Sequence, residues 1–176
     1  MEEEAKVTFY RFEKCGLFEY GAEESRLGEL PEYLNQLMSW VKRDNKPLDE
    51  TCTYAIKESE DVSRTFCYDI VKNGNTGDFL LTTWNETPSY KGKVAAVNSK
   101  GKVGEAKVEF TTLPKNSIPG YATYFWIVPS KNVFASIRFQ HVVNGKKNFD
   151  KYFKEFISKF SDYVVLGESE DSDFSI

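Results

Sequence analysis

A single histidine, His141, stands in a chain of 176 residues. A site built from several histidines is therefore impossible, and a Ser-His-Asp or Cys-His arrangement would need this one ring at the end of a strand. The three cysteines, Cys15, Cys52 and Cys67, form no C-x-x-C pair. Their odd number and wide spacing argue against a disulfide framework or a zinc site and predict reduced, partly buried thiols. Neither a P-loop nor a G-x-G-x-x-G fingerprint occurs, so nucleotide binding by those two phosphate-cradling devices has no support. No apolar run approaches the roughly 20 residues that span a bilayer, and the Met-Glu-Glu-Glu start carries no basic region and no apolar signal core. These absences predict a cytoplasmic protein with no membrane partner and no cofactor or metal.

Aromatic residues, at 15%, are abundant, and the net charge of -4 conceals a strong asymmetry. Residues 1–88 hold 10 Lys+Arg against 18 Asp+Glu, whereas residues 89–160 hold 13 against 4, a net of +9. The last sixteen residues are acidic again. Such a division points to a polyanionic partner, or to two lobes that attract each other within one molecule or between subunits.

The clearest structural signal runs from Tyr121 to Phe160. Ala122 to Val128 is an aromatic and β-branched run that suits a central strand covered on both faces. Pro129-Ser130-Lys131-Asn132 reads as a turn, and Val133, Ala135, Ile137 and Phe139 then alternate with Phe134, Ser136, Arg138 and Gln140 as a returning strand. Beyond Asn144-Gly145, the residues Phe149, Tyr152, Phe153, Phe156, Ile157, Phe160 and Val164 recur at helical spacing opposite Lys151, Lys154, Glu155 and Lys159. Asn148 is the expected cap of that helix, which leaves Lys146 and Lys147 in the loop before it.

Earlier in the chain, Lys6–Glu13 alternates as a first strand, with a continuation at Gly16–Tyr20. Leu30-Pro31 opens a helix with an apolar stripe of Leu30, Leu34, Leu37, Met38 and Val41, stopped by Asp44-Asn45-Lys46-Pro47. A β-rich middle follows. Cys52–Ile56 is a possible strand; Thr65–Lys72 and Asp78–Trp84 flank the turn residues Asn73–Gly77, with Phe66, Tyr68 and Ile70 on one face of the first. Lys93–Val97 and Ala106–Thr112 form a further hairpin whose Val108 and Phe110 face inward. The sum is an α+β fold: a mostly antiparallel sheet of six to seven strands with two amphipathic helices packed on it. Residues 5–165 form one domain, and the acidic stretch 166–176 is expected to be a disordered tail.

Three functions remain open. Lys91, Lys93, Lys100, Lys102, Lys146 and Lys147 cluster on loops and their flanks, with Arg138 on the returning strand and Tyr121 placed to stack on a base. Together they predict non-catalytic recognition of a polyanion, nucleic acid first among them. Glu105-Ala106-Lys107, with Asp78 or Glu86 nearby, resembles the metal-dependent nucleases of the PD-(D/E)-x-K type. In those enzymes a carboxylate holds a divalent metal while the lysine positions the attacking water. Alternatively, the aromatic or acidic surface serves a protein interface, as a homodimer or a subunit of a larger complex. One further likeness bears on the choice. Ile118-Pro119-Gly120-Tyr121, Phe125–Val128 and Asn132–Ala135, about 20 residues in all, resemble a strand pair of phage-exclusion and other small prophage-borne proteins. That resemblance implies a bacterial phage-defence setting and a nucleic-acid-binding role, and it carries over no catalytic residue.

Overall fold

The two longest apolar patterns of the sequence, one of period two and one of period 3.6, meet as a sheet and the helices lying on it. The computed structural model describes residues 4–56, 62–87, 89, 93–97, 108–139, 144–164 and 174–175. Its elements in chain order are β1 (Lys6–Arg11), β2 (Phe18–Glu19), α1 (Leu30–Lys42), β3 (Thr65–Lys72), β4 (Phe79–Glu86), β5 (Lys93–Val97), β6 (Val108–Thr112), β7 (Gly120–Val128), β8 (Val133–Arg138), α2 (Lys146–Phe160) and β9 (Phe174–Ser175). The fold is α+β with a mostly antiparallel main sheet, as the patterning predicts. That sheet has five strands in the order β1-β8-β7-β4-β3, fewer than the expected six to seven. The difference arises because, among the described residues, β5 and β6 pair only with each other, and β2 pairs with β9. Cys52–Ile56, a possible strand by sequence, has no regular structure and follows a short 3-10 turn at Leu48–Thr51.

Local chemistry explains the punctuation. Asp44 and Asn45 adopt left-handed φ values of 55° and 50°, which ends α1. Pro129–Lys131 forms a 3-10 turn, and Asn132, at φ 52°, swings the chain back into β8. In β3 the register shifts between Cys67 and Asp69, a bulge centred on Tyr68. The bulge overturns the simple alternation expected there: Cys67 and Ile70 join the main core, while Tyr68 is exposed.

The core lies between the sheet and the helices. Phe149, Tyr152, Phe153, Phe156 and Ile157 of α2 and Leu30, Tyr33, Leu34 and Leu37 of α1 are buried against Ile70, Phe79, Leu81, Phe125, Ile127 and Phe134 of the sheet. Each such side chain removed from water contributes about 1.5–3 kcal/mol. Phe149 is the hub of the aromatic contacts, stacked on Phe125 at 4.6 Å and on Phe153 at 5.8 Å and tilted against Phe134 at 5.2 Å. Trp40 joins the helices by lying 5.7 Å from Phe156 and 4.8 Å from Phe160.

Two expectations of coverage fail. β7 is central in the sheet but covered on one face only: Phe125 and Ile127 face the helices, while Trp126 points the other way and is exposed. Phe110 of β6 is likewise exposed instead of facing inward. The β7 run belongs to a sheet with helices on a single side, which a one-dimensional pattern does not distinguish from a sandwich, and the Phe110 strand belongs to the separate β5–β6 pair.

Candidate functional site

The helix-facing side of the sheet changes character along its strands. At one end it presents Phe79, Leu81, Phe125, Ile127 and Phe134; at the other it presents Thr65, Thr83, Asn85 and Thr123, all buried. The start of α2 lies over this polar end. There Asn148 Nδ2 donates to Thr65 Oγ1 at 3.1 Å, and the Thr65 hydroxyl donates to Asn85 Oδ1 at 3.0 Å. Asn85 Nδ2 in turn donates to Thr123 Oγ1 at 3.0 Å, which shares a 2.7 Å hydrogen bond with Thr83. Tyr54 adds its hydroxyl, donated to the Ser63 carbonyl at 2.6 Å and lying 3.0 Å from Thr65 Oγ1. Burying so many polar groups is tolerable only when each is paired, and paired they hold one another rigidly.

A cleft of about 890 Å³ opens above this floor, lined by Ser63, Arg64, Glu86, Tyr121 and the first residues of α2, Lys146, Lys147 and Asn148. Here the structure corrects the expected helix boundary. α2 begins at Lys146, with Gly145 as its N-cap, so Lys146 and Lys147 form its first turn instead of a loop. Asn148 is not a cap: its amide reaches across to Ser63 Oγ and Thr65 Oγ1. The capping role falls to Asn144, whose Oδ1 accepts the Lys146 N–H at 3.0 Å while its Nδ2 donates to the Tyr10 hydroxyl at 2.7 Å. Gly145 takes φ 68°, and its α-carbon approaches Thr123 so closely that a β-carbon would lie 2.6 Å from Oγ1.

Several charges in and beside the cleft are held by partners, Lys151 lying 4.8 Å over the Tyr54 ring. Arg64 forms a two-pronged ion pair with Glu86 at 2.6 and 2.7 Å, which pushes the guanidinium pKa further above its usual value. Lys146 pairs with Asp150 and lies 5.5 Å over the Tyr10 ring. Burial raises the Tyr121 phenol, so Tyr121 presents a neutral ring to the cleft. Lys147, Lys151 and Lys154 follow one another at i, i+4 and i+7, so a basic stripe leaves the cleft along one face of α2. It spans about 10 Å.

Of the residues singled out in the sequence, Tyr121, Lys146 and Lys147 come together. Arg138 ends β8 at the same end of the sheet, part-buried and opposite Lys6, but does not line the cleft. Lys93 opens β5, exposed, in the separate hairpin. Lys91, Lys100, Lys102, Glu105, Lys107 and His141 lie outside the described residues. Asp78 and Glu86, the two acids considered beside Glu105 and Lys107, stand at opposite ends of β4. Asp78 accepts from the Trp126 indole at 3.3 Å, and Glu86 is held by Arg64. Among the described residues no three His, Cys, Asp or Glu side chains gather as a metal site, and no helix is long and apolar enough to cross a membrane.

Sequence reasoning missed the polar floor, because Thr65, Asn85 and Thr123 are ordinary strand residues until pairing sets them side by side. It also read Lys151 and Lys154 as a plain solvent face, although their spacing from Lys147 was visible. Comparison with known protein families, with curated proteins and with solved structures finds no match to the chain.

Proposed function

We propose that the protein recognises a polyanion, with single-stranded nucleic acid the chemistry that best fits the cleft. The observation that carries this is the placement of Lys146 and Lys147 in the first turn of α2. The positive end of a helix dipole favours acids there, and a cation costs some tenths of a kcal/mol. Two consecutive lysines at that position concentrate positive potential, and a bound phosphate turns the cost into a gain. Tyr121 offers a stacking surface beside them, Ser63 and Asn148 add polar groups to the cleft lining, and the Lys147–Lys151–Lys154 stripe continues the path of a backbone. An aromatic ring beside a basic path is the combination by which proteins hold unpaired strands. The resemblance of Ile118–Ala135 to phage-exclusion proteins supplies the setting proposed with it, the cytoplasm of a bacterium under phage attack. The nuclease alternative rests on Glu105 and Lys107, which lie outside the described residues.

The test is fluorescence anisotropy with a labelled single-stranded oligonucleotide over a salt series. Binding is expected to weaken linearly with log salt, and the triple variant Lys147→Glu, Lys151→Glu, Lys154→Glu lowers the slope by about 2, at roughly 0.7 per phosphate contact on a single strand. Tyr121→Ala weakens binding of the oligonucleotide by about 1–3 kcal/mol but leaves binding of a sulfated polysaccharide unchanged. Salt-independent binding, or undiminished affinity in the triple variant with its circular dichroism intact, refutes the proposal.

A further inference from the structure

The face of the sheet turned away from the helices is apolar across its full width. The registers place Phe9, Ala135, Trp126, Leu80 and Val71 side by side, one from each of the five strands. Of these, Phe9 is 65% exposed, Trp126 41%, Leu80 41% and Val71 43%; Ala135, at 1%, is the floor of a groove of about 370 Å³ between Phe9 and Trp126. Val7, Tyr68 and Phe139 extend the exposed patch. Five strands about 4.8 Å apart and some six residues long, at about 3.4 Å each, make a face on the order of 500 Å². Its exposed apolar part, the rung from Phe9 to Val71 with its neighbours, is a contiguous patch of the kind that marks an interaction site.

The charges around this face indicate what covers it. Arg11, on edge strand β1, lies in the rung of Val133 and Val128. Asp78 sits at the other side of the same rung, one residue before Phe79, which pairs with Ile127. Asp69, on the opposite edge strand β3, is exposed two outward-facing rungs further along, level with Val7. One side of the face is thus cationic and the other anionic.

We infer that this face is a homodimer interface, with two copies packing sheet on sheet about a twofold axis that runs along the strands. That axis sets β1 of one copy over the β4–β3 side of the other, so that Arg11 meets Asp78 of the second copy and the pair occurs twice. An axis across the strands would stack β1 on β1 and bring no such pair together. The apolar rungs then interdigitate as in an aligned β-sandwich, with Phe9 and Trp126 as anchors. Edge-to-edge pairing is disfavoured, because Lys6, Arg11, Asp69, Lys72 and the Tyr68 bulge mark the two edges. Burying such a face on two copies removes on the order of 1,000 Å² or somewhat more, near the lower end of specific interfaces, so the dimer is a reversible one.

Sedimentation velocity on the full chain, from micromolar to submillimolar concentration, is the test. The wild type is expected to pass from the 20.2 kDa monomer to a species of twice that mass. Phe9→Asp, at a position outside the core, remains monomeric with an unchanged melting curve. Arg11→Glu and Asp78→Arg each weaken self-association at least tenfold, since each sets like charges opposite one another twice. An equimolar mixture of the two restores a dimer, because the mixed pair has opposite charges at both contacts. A wild type that stays monomeric throughout, a Phe9→Asp protein that dimerises as before, or a mixture no tighter than its components each overturns the inference.

Discussion

Gly145 shows how much a single backbone position carries. It holds the left-handed conformation that aims α2 at the sheet, and its missing side chain lets the helix start touch Thr123. Gly145→Ala meets two costs, about 1–2 kcal/mol for the left-handed backbone and a further penalty for the contact with Thr123. The expected outcome is a melting temperature lower by about 4–8 °C, since 1 kcal/mol is worth about 2–4 °C in a chain of this size. Adding Thr123→Ala does not rescue Gly145→Ala, because the Thr123 β-carbon stays 2.9 Å from the new one and Thr83 and Asn85 lose their shared partner, so differential scanning calorimetry on the double variant shows a larger loss than on Gly145→Ala alone. The same residue links stability to the proposed site, because it sets where Lys146 and Lys147 stand over the polar floor.

At the scale of elements, α2 does two jobs with two faces. Its apolar face brings Phe149, Tyr152, Phe153, Phe156 and Ile157 to the core, and its basic face runs out of the cleft. Phe156 is fully buried between Phe153 and Trp40, whereas Phe160, one turn later, is 37% exposed. Phe156→Ala is therefore expected to cost about 3–5 kcal/mol in urea denaturation, and Phe160→Ala no more than about 1.5 kcal/mol. Equal losses at the two positions would mean that α1 and α2 pack differently from the arrangement described. The helix was legible in the sequence, because apolar residues recurring from Phe149 to Phe160 at a period of 3.6 share one face only if the chain is helical. Its first turn was not: Asn148 resembles a cap by residue type, and only the neighbouring Ser63 and Thr65 show where its amide goes.

For the whole molecule, the half-buried Cys15 and buried Cys67 thiols and the buried phenols set an alkaline limit. Burial pushes Cys15 and Cys67 up from 9.0 to about 12 and raises Tyr33 and Tyr152 as well. These groups stay neutral in the folded chain over a range in which the unfolded chain releases their protons. Stability is consequently full below pH 9, and falls as pH rises from there towards 12, by up to about 1.4 kcal/mol per pH unit for each thiol. Melting curves at successive pH values are expected to be level below pH 9 and to drop above it, and the double variant Cys15→Ala, Cys67→Ala flattens the fall between pH 9 and 10. A melting temperature unchanged through pH 10 would contradict the burial of these groups.

The local features of this protein follow from its sequence alone. Periodicity set α1, α2, β3, β4, β7 and β8, and the turn residues at Asn73–Gly77 and Pro129–Asn132 set the hairpins, because these signals act over one element and its ends. Three matters were decided only by tertiary structure. Strand pairing gathered Thr65, Asn85 and Thr123 into a polar floor, residues 20 to 58 positions apart with no pattern in common. The Tyr68 bulge reversed the phase of β3, a choice made by packing Cys67 and Ile70 against the core. The placing of both helices on one side left Phe9, Trp126 and Leu80 exposed, although the strand that holds Trp126 reads as covered on both faces. Each of these depends on which distant segments become neighbours, and a pattern along one segment carries no information about that.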